Sequence, residues 1–231
     1  MLRRSVLYLH RDNATDGEKS RLLWGLAYLG MEFPSVWAGD YGDDITGGSQ
    51  RLIDVPPWTR PPRFRARGQG PPSNFDVAVH LDFDDEAELA AFEADAAQHA
   101  VARFNASVAV DELTARVDWR YEGDVRNCRG HVRHCAMHVW RDDVDAGTRQ
   151  RVFDAVATLA ATPGVESVAT GESVRTRRSD YDWLLDVQLA DAGAARAVLA
   201  GAAFAEVAAV IAPATKDEWT ARVTHVMRGE P

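Results

Sequence analysis

The chain has 231 residues, with 26 basic and 35 acidic side chains and a formal net charge of −9. This length suits one large domain or two small ones, at about 100–200 residues per domain. The acidic balance argues against nucleic acids and anionic membranes as partners, because clustered Lys and Arg bind both. No apolar run approaches the ~20 residues that span a bilayer. The apolar stretch near the start is too short for a signal peptide. We therefore expect a cytoplasmic protein.

Cofactor motifs and a cysteine framework are both missing from the sequence. Cys128 and Cys135 form no CxxC pair, so we interpret them as free thiols in a reducing compartment. Neither a GxGxxG motif after a strand nor a P-loop is present. We predict that the protein uses no cofactor and no metal.

Three short motifs recur in the second half of the chain: DELTARV at Asp111 and DEWTARV at Asp217, FDVAVHLDFDD at Phe75 and YDWLLDVQLAD at Tyr181, and SVWAGD at Ser35 and SVATGE at Ser167. The first two pairs are 106 residues apart and the third is 132 apart. A repeat at a fixed offset indicates two copies of one structural unit. We predict copies at 1–122 and 130–231, joined by a linker at 123–129. The change of offset predicts an insertion in copy one, at about 41–73.

Hydrophobic periodicity predicts the order β-α-β-β-α-β in both copies. The predicted elements in chain order are 6–10, 18–29, 33–40, 75–83, 86–101 and 113–121, then 134–140, 148–160, 165–172, 181–189, 192–211 and 218–227. This is the ferredoxin-like order, in which an antiparallel sheet carries both helices on one face. The other face needs cover, which a second copy can supply. We therefore predict an α+β fold: two repeats fused into one intramolecular barrel, with the helices outside.

The predicted insertion is rich in Pro, Gly and Arg. One interpretation is a surface loop, as such compositions often form. The other is a lid over a pocket, since long loops in compact domains are often functional. The sequence does not choose between them.

Histidines are the first candidates for chemistry, because imidazole titrates near neutral pH. His134 and His138 share one face of their predicted strand, while Cys135 and Met137 share the other. We expect Cys135 and Met137 to meet the helices, which places both histidines in the barrel interior. Ser5 is taken as the copy-one equivalent of His134. The alternative is a hydrogen-bonded structural pair without catalytic function.

Charged and aromatic residues supply candidate substrate contacts. Arg116 and Asp118 alternate with apolar residues, so we expect them in the barrel interior, where buried charges must be paired or bind a ligand. Arg222 is the repeat equivalent of Arg116, and either could hold a carboxylate or an enolate. The aromatic candidates for stacking on a planar substrate are Tyr181, Trp183 and Trp219. Ion pairing and core packing are the competing explanations.

The combination RHCAMHVWRDD, TPGVESVATGES, YDWLLDVQLAD and DEWTARVTHV resembles the stress-responsive A/B-barrel (Dabb) family of the dimeric α+β barrel superfamily. The resemblance implies a barrel normally made by two chains. It also implies chemistry such as that of polyketide cyclases of the olivetolic acid cyclase type, or of cofactor-free monooxygenases. In the cyclase, His134 corresponds to a pocket histidine and His99 to the catalytic base; the alternative for His99 is a solvent-facing position on its helix. Phe92 stands near a tyrosine of the family motif, so that hydroxyl is missing.

Three functions follow from this pattern. The first is a cofactor-independent cyclase or lyase of specialised metabolism, such as antibiotic biosynthesis, acting on a polyketide-derived or aromatic substrate through histidine acid–base chemistry. The second is a cofactor-free monooxygenase on an aromatic polyketide. The third is a non-catalytic, stress-responsive barrel that binds a small hydrophobic ligand. The fused copies form a pseudo-dimer in each case, and a further homodimer is left open.

Overall fold

The computed structural model describes residues 1–46, 74–121, 128–174, 179–216 and 219–229. The first half contains β1 (Leu2–Tyr8), α1 (Asp16–Glu32), β2 (Ala38–Asp43), β3 (Val77–Phe83), α2 (Glu86–Ala94), α3 (Ala96–Val108) and β4 (Ala115–Arg120). The second half contains β5 (Val132–His138), α4 (Ala146–Ala157), β6 (Val165–Glu172), β7 (Trp183–Leu189), α5 (Ala192–Leu199), α6 (Ala202–Ile211) and β8 (Ala221–Val226). Each half follows the order predicted from the sequence, except that two helices stand where one was predicted before the last strand.

Helix caps explain where these helices begin and why two predicted helices are divided. The Thr15 side chain accepts a hydrogen bond from the backbone N–H of Glu18, whose carboxylate accepts one from the Thr15 N–H in return. Asp95 has extended backbone and ends α2, and its side chain caps the start of α3. Gly201 is likewise extended between α5 and α6. The predictions of single helices at 86–101 and 192–211 were therefore wrong.

The two sheets have the same strand order, β2-β3-β1-β4 and β6-β7-β5-β8, with all neighbours antiparallel. Hydrogen bonds between the halves close them into a barrel. At one seam the Ile45 N–H donates to the Thr224 carbonyl at 2.7 Å. At the other, the Val174 N–H donates to the Asp118 carbonyl at 2.8 Å. The predicted α+β barrel with antiparallel sheets is confirmed.

On β4 and β5, the side chains that lie between the sheets are those that we expected to face the helices. Cys135 and Met137 belong to the inter-sheet core, together with Val117 and Trp119 of β4. Ala136 instead belongs to the core beneath the helices of the second half. The expected facing of β5 and β4 was therefore wrong. Because each sheet is covered on both faces, both residue sets are buried, and apolar alternation does not identify the helix side.

The space between the sheets also holds buried ion pairs. Arg3 donates to Asp82 at 2.7 Å and, across the barrel, to Asp186 at 2.7 Å. Arg133 donates to Asp40 of the other sheet, also at 2.7 Å. These arginines have no exposed side-chain surface. Because a buried charge must be paired with a charge of opposite sign, these ion pairs join the two halves.

The predicted repeat boundaries, 1–122 and 130–231, stay predictions. Residues 123–127 of the predicted linker and 47–73 of the insertion lie outside the described residues. In the described part of the chain, no single helix is long and apolar enough to cross a membrane, although the bent pair α5 and α6 passes a length and composition test together. Cytoplasmic localisation also stays a prediction.

Candidate functional site

A cavity of about 460 Å³ lies in the second half, between its sheet and α5 and α6. This volume is within the range of about 300–1,000 Å³ that is usual for small-molecule sites. Its helix-side wall is apolar and is formed by Leu199, Phe204, Val207, Ala208, Ile211 and Ala212. Its sheet-side wall is mostly polar and carries His134, His138, Thr220, Arg222 and Thr224. One end of the cavity can thus accept apolar surface while the other offers hydrogen bonds.

Strand alternation places the two histidines on this wall. His134 and His138 are each 6% exposed. Nδ1 of His134 lies 2.8 Å from the Thr224 hydroxyl, and Nδ1 of His138 lies 3.2 Å from the Thr220 hydroxyl. Among the described residues, Nε2 of His138 has no hydrogen-bond partner. The hydroxyls of Thr224 on β8 and of Thr220 just before it therefore orient the two rings through the same ring atom, Nδ1.

Both histidines are neutral at physiological pH. Burial, and then the charge of Arg222, lower the pKa of His134 to about 4. The same causes lower the pKa of His138 to about 3. A neutral imidazole has a lone pair on one nitrogen and can accept a proton there. Arg222, with its fixed positive charge, lines the same cavity and can stabilise a developing oxyanion.

The predicted aromatic contacts do not line this cavity. Trp183 is fully buried and stacks behind His138, with ring centroids 4.3 Å apart and planes 20° apart. Trp140 continues the stack on the far side of Trp183, at 5.0 Å. Tyr181 lies in the inter-sheet core, and Trp219 packs beside the Lys216 ammonium. Core packing accounts for Tyr181 and Trp183, Trp219 is half-buried against Lys216, and Trp183 holds the imidazole plane of His138.

The corresponding region of the first half is almost filled. Its remaining cavity is about 50 Å³ and is lined by Arg4, Tyr8 and Arg116, among others. Strand register makes Arg4 the equivalent of His134, because Arg4 pairs with Asp118 where His134 pairs with Thr224. Ser5 was therefore the wrong equivalent.

The Arg4 side chain occupies this space because it is held by two carboxylates. Arg4 Nε lies 2.7 Å from Asp118, and Arg4 Nη2 lies 2.6 Å from Glu93. Asp118 thus pairs beneath the helices rather than in the barrel interior. Arg116 is partly exposed and lies 3.5 Å from Asp111. Neither residue shares a cavity with Arg222, so the predicted set of substrate contacts is divided between the halves.

His99 lies apart from the other two predicted catalytic histidines. It is exposed on α3 of the first half, and its Nε2 lies 2.7 Å from the Glu93 carbonyl oxygen. The cavity lining does not include it. The resemblance assigned His99 to the helix predicted at 86–101 but gave no information on which way the side chain points.

Sequence reasoning missed the contribution of the first half to this cavity. Thr46 and Asn74 line it, although both belong to the connection between β2 and β3. The Asp44 carboxylate accepts a hydrogen bond from the Thr224 N–H at 3.0 Å. The two missed threonines, Thr224 on β8 and Thr220 just before it, had a usable signal, because both alternate in phase with Arg222.

Comparison with known proteins identifies the fold. No family model and no curated protein matches the chain. A solved anthrone oxidase-like protein matches with a TM-score of 0.67 and 9% identity, over 99% of this chain and 92% of that one. A candidate monooxygenase of Fusobacterium nucleatum matches with a TM-score of 0.57 and 11% identity, over 98% and 91%.

Two further structures extend the comparison. A candidate monooxygenase of Lactobacillus acidophilus has a TM-score of 0.53 and 12% identity, over 98% of this chain and 92% of that one. A Dabb-family protein of Mesorhizobium loti covers 42% of this chain and 97% of its own, with 19% identity and a TM-score of 0.37, which supports no conclusion. At these identities the likeness concerns the fold alone. The chain therefore shares a ferredoxin-like α+β barrel fold with the anthrone oxidase-like protein and the candidate monooxygenases.

Proposed function

We propose that the cavity of the second half binds a polyketide-derived or aromatic molecule and removes a proton from a carbon next to its carbonyl group. The observation that carries the proposal is the pair of neutral, hydroxyl-oriented histidines beside Arg222 in a largely apolar cavity. We further propose that the chain is a fused relative of the Dabb family, with repeats at 1–122 and 130–231. A cytoplasmic enzyme without a cofactor is consistent with this assignment.

The role of each residue follows from the wall of the cavity on which it lies, the apolar helix-side wall or the polar sheet-side wall. The apolar wall takes the rings of the substrate, because burying apolar surface favours binding. The lone pair of a neutral imidazole, at Nε2 of His134 or His138, accepts the proton while Nδ1–H donates to its threonine. Arg222 stabilises the enolate oxygen, which makes the substrate a stronger acid and allows a weak base to act. Aldol closure followed by loss of water would complete a cyclase or lyase reaction.

Oxygenation is the second candidate, favoured by the fold shared with the anthrone oxidase-like protein and the candidate monooxygenases. The same deprotonated substrate would be electron-rich enough to reduce O₂ directly. One oxygen atom would form a new carbonyl on the carbon that loses two hydrogens, and the other would leave as water. The non-catalytic alternative has less support, because aromatic side chains do not fill the cavity.

The test begins with binding. Anthrones, phenols and linear aromatic polyketide mimics would be screened by calorimetry against wild type and against Ala208→Trp, which fills the apolar wall. Binding that the filled variant loses would support the site. A panel that binds both proteins equally, or neither, would refute it.

Turnover of a bound compound then separates the chemistries. Of His134→Gln and His138→Gln, the variant that removes the base should lower kcat by about 10²–10⁴, the usual value of a general base. His99→Gln, a histidine outside the cavity, is the matched control and should leave kcat unchanged. Normal turnover by both cavity variants would exclude the mechanism. Oxygen uptake, and loss of activity under anaerobic conditions, would favour oxygenation over cyclisation.

A further inference from the structure

An apolar stripe is exposed on α1, on the outside of the first half. Trp24 and Met31 are each 77% exposed, and Tyr28 is 44% exposed. Their spacing of four and then three residues places them on one helix face, opposite the face that packs on the sheet. Such a row differs from singly scattered apolar residues, which are normal on protein surfaces. We call these three residues the α1 stripe.

The second half provides an internal comparison, because α4 occupies the same place in the same fold. The N-caps Thr15 and Asp145 put the two helices in register. The buried positions correspond: Leu22, Leu26 and Leu29 in α1 match Val152, Val156 and Leu159. The exposed positions differ: the α1 stripe matches Asp154, Thr158 and Ala161, all exposed. The fold therefore does not require large apolar side chains at these positions.

The exposed area is sufficient for an interface. Trp37 and Met1 are 50% and 41% exposed and contact each other, with the Trp37 indole N–H donating to the Met1 sulfur at 3.2 Å. Close approach of Gly30 and Gly39 places the start of β2 beside the C-terminal part of α1. Taking roughly 200 Å² for each large side chain, the five residues expose about 600 Å². Two copies would thus bury up to about 1,200 Å² in total, which exceeds the lower limit of about 1,000 Å² for a specific interface but is less than the standard size of about 1,600 Å².

We propose that the α1 stripe is the homodimer interface of this protein, formed by two α1 helices that pack antiparallel about a two-fold axis near Tyr28. A two-fold axis makes the same patch complementary to itself. In that arrangement Trp24 of each helix lies against Met31 of the other. Arg21 and Glu32, both exposed and about three turns apart on one flank, then face each other across the axis. The stripe is narrow, as expected for contact with a single helix.

Sedimentation velocity over a range of protein concentrations tests the proposal. Wild type should reach twice the 25.4-kDa monomer mass. The triple variant Trp24→Asp, Tyr28→Thr, Met31→Ala installs the second-half residues and should remain monomeric with an unchanged circular dichroism spectrum. Val210→Asp removes another exposed apolar side chain, on α6, and should dimerise like wild type. A wild type that stays monomeric throughout, or a triple variant that dimerises equally well, would overturn the proposal.

Disulfide trapping tests the geometry without relying on the triple variant. In a Cys128→Ser background, Tyr28→Cys places one thiol beside the axis on each protomer. Mild oxidation should then cross-link the chains, since a disulfide requires Cβ atoms about 4 Å apart. Thr158→Cys at the matching position of the second half is the control and should stay uncross-linked. Equal cross-linking at both positions, or none at either, would refute the helix pairing.

Discussion

Removal of the Asp40 carboxylate should destabilise the whole barrel. Asp40 is 1% exposed and lies on β2 at the seam between the halves. It accepts hydrogen bonds from Arg133 at 2.7 Å and from the Arg228 N–H at 3.1 Å, and it lies 2.9 Å from Nε2 of His225. Asp40→Asn would remove one buried carboxylate from Arg133, whose Nε also lies 3.1 Å from the Asp186 carboxylate. Breaking a buried pair from one side costs about 3–5 kcal/mol.

Urea unfolding at pH 7 would measure this loss against a control on the same strand. Asp43→Asn breaks the ion pair with Arg228, in which both side chains are more than 40% exposed, and should cost less than about 1 kcal/mol. Both variants should keep the wild-type m-value, because the surface exposed on unfolding is unchanged. Equal, small losses in the two variants would show that the buried network contributes no more than a surface pair.

The same comparison has a defined pH dependence. Burial alone would raise the pKa of Asp40, but the Arg133 guanidinium lowers it well below its usual range. A carboxyl group with a lowered folded-state pKa stabilises the fold fully above the unfolded value, about 3.9. That contribution is lost as the pH falls further. The stability difference between wild type and Asp40→Asn should thus be constant from about pH 7 to 5 and shrink below about pH 4. A difference that grows on acidification would refute the assignment.

The remaining predictions concern the two cavities. Arg222→Gln should raise the pKa of His134 from about 4, as NMR titration would show. Because that pKa lies below the unfolded value of about 6.5, His134 lowers the free energy of unfolding as the pH falls from about 6.5 to 4. Arg222→Gln should make this loss of stability smaller. Thr224→Val should cost about 1–3 kcal/mol, and ¹⁵N shifts should then show His134 as a mixture of tautomers in place of the single tautomer expected for wild type. In the first half, Arg4→Leu should cost about 3–5 kcal/mol by depriving Asp118 of its guanidinium. The double variant Arg4→His, Asp118→Thr should cost less and enlarge the 50-Å³ cavity.

The fold could be predicted because its signals are local and repeated. Motif offsets indicated two copies, and each copy showed the hydrophobic periods of its strands and helices. The breaks at Asp95 and Gly201 were missed because both lie inside apolar, alanine-rich stretches that read as continuous helix. An aspartate can continue a helix or cap a new one, and only the tertiary packing selects the second.

The residues that form the candidate site could be predicted better than the layer of the fold in which the site lies. His134, His138 and Arg222 do share one cavity, since strand alternation puts the histidines on one face. The layer they face was wrong because β5 is buried along its entire length. The prediction that His99 lines the cavity was wrong. The resemblance implied its position on a helix but did not indicate the direction of its side chain. Trp183 was an equally good core residue by sequence, and the structure buries it behind His138.

The two halves share one topology but use it differently, and the seams explain how one cavity depends on both. The connection after β2 of the first half reaches the cavity of the second, where Asp44 binds the Thr224 N–H and Asn74 lines the wall. The matching connection after β6 reaches the first half, where the Ser179 hydroxyl accepts a hydrogen bond from the Asp118 N–H at 2.9 Å. Each half thus borders the last strand of the other. Because Arg4 occupies the first cavity with ion pairs, that cavity keeps about 50 Å³ against about 460 Å³ in the second, and the first half serves the second by holding β8 in register. The threonines that orient the histidines lie on that strand (Thr224) and directly before it (Thr220), so separating the halves would expose β8 as an edge and release both imidazoles from a fixed orientation.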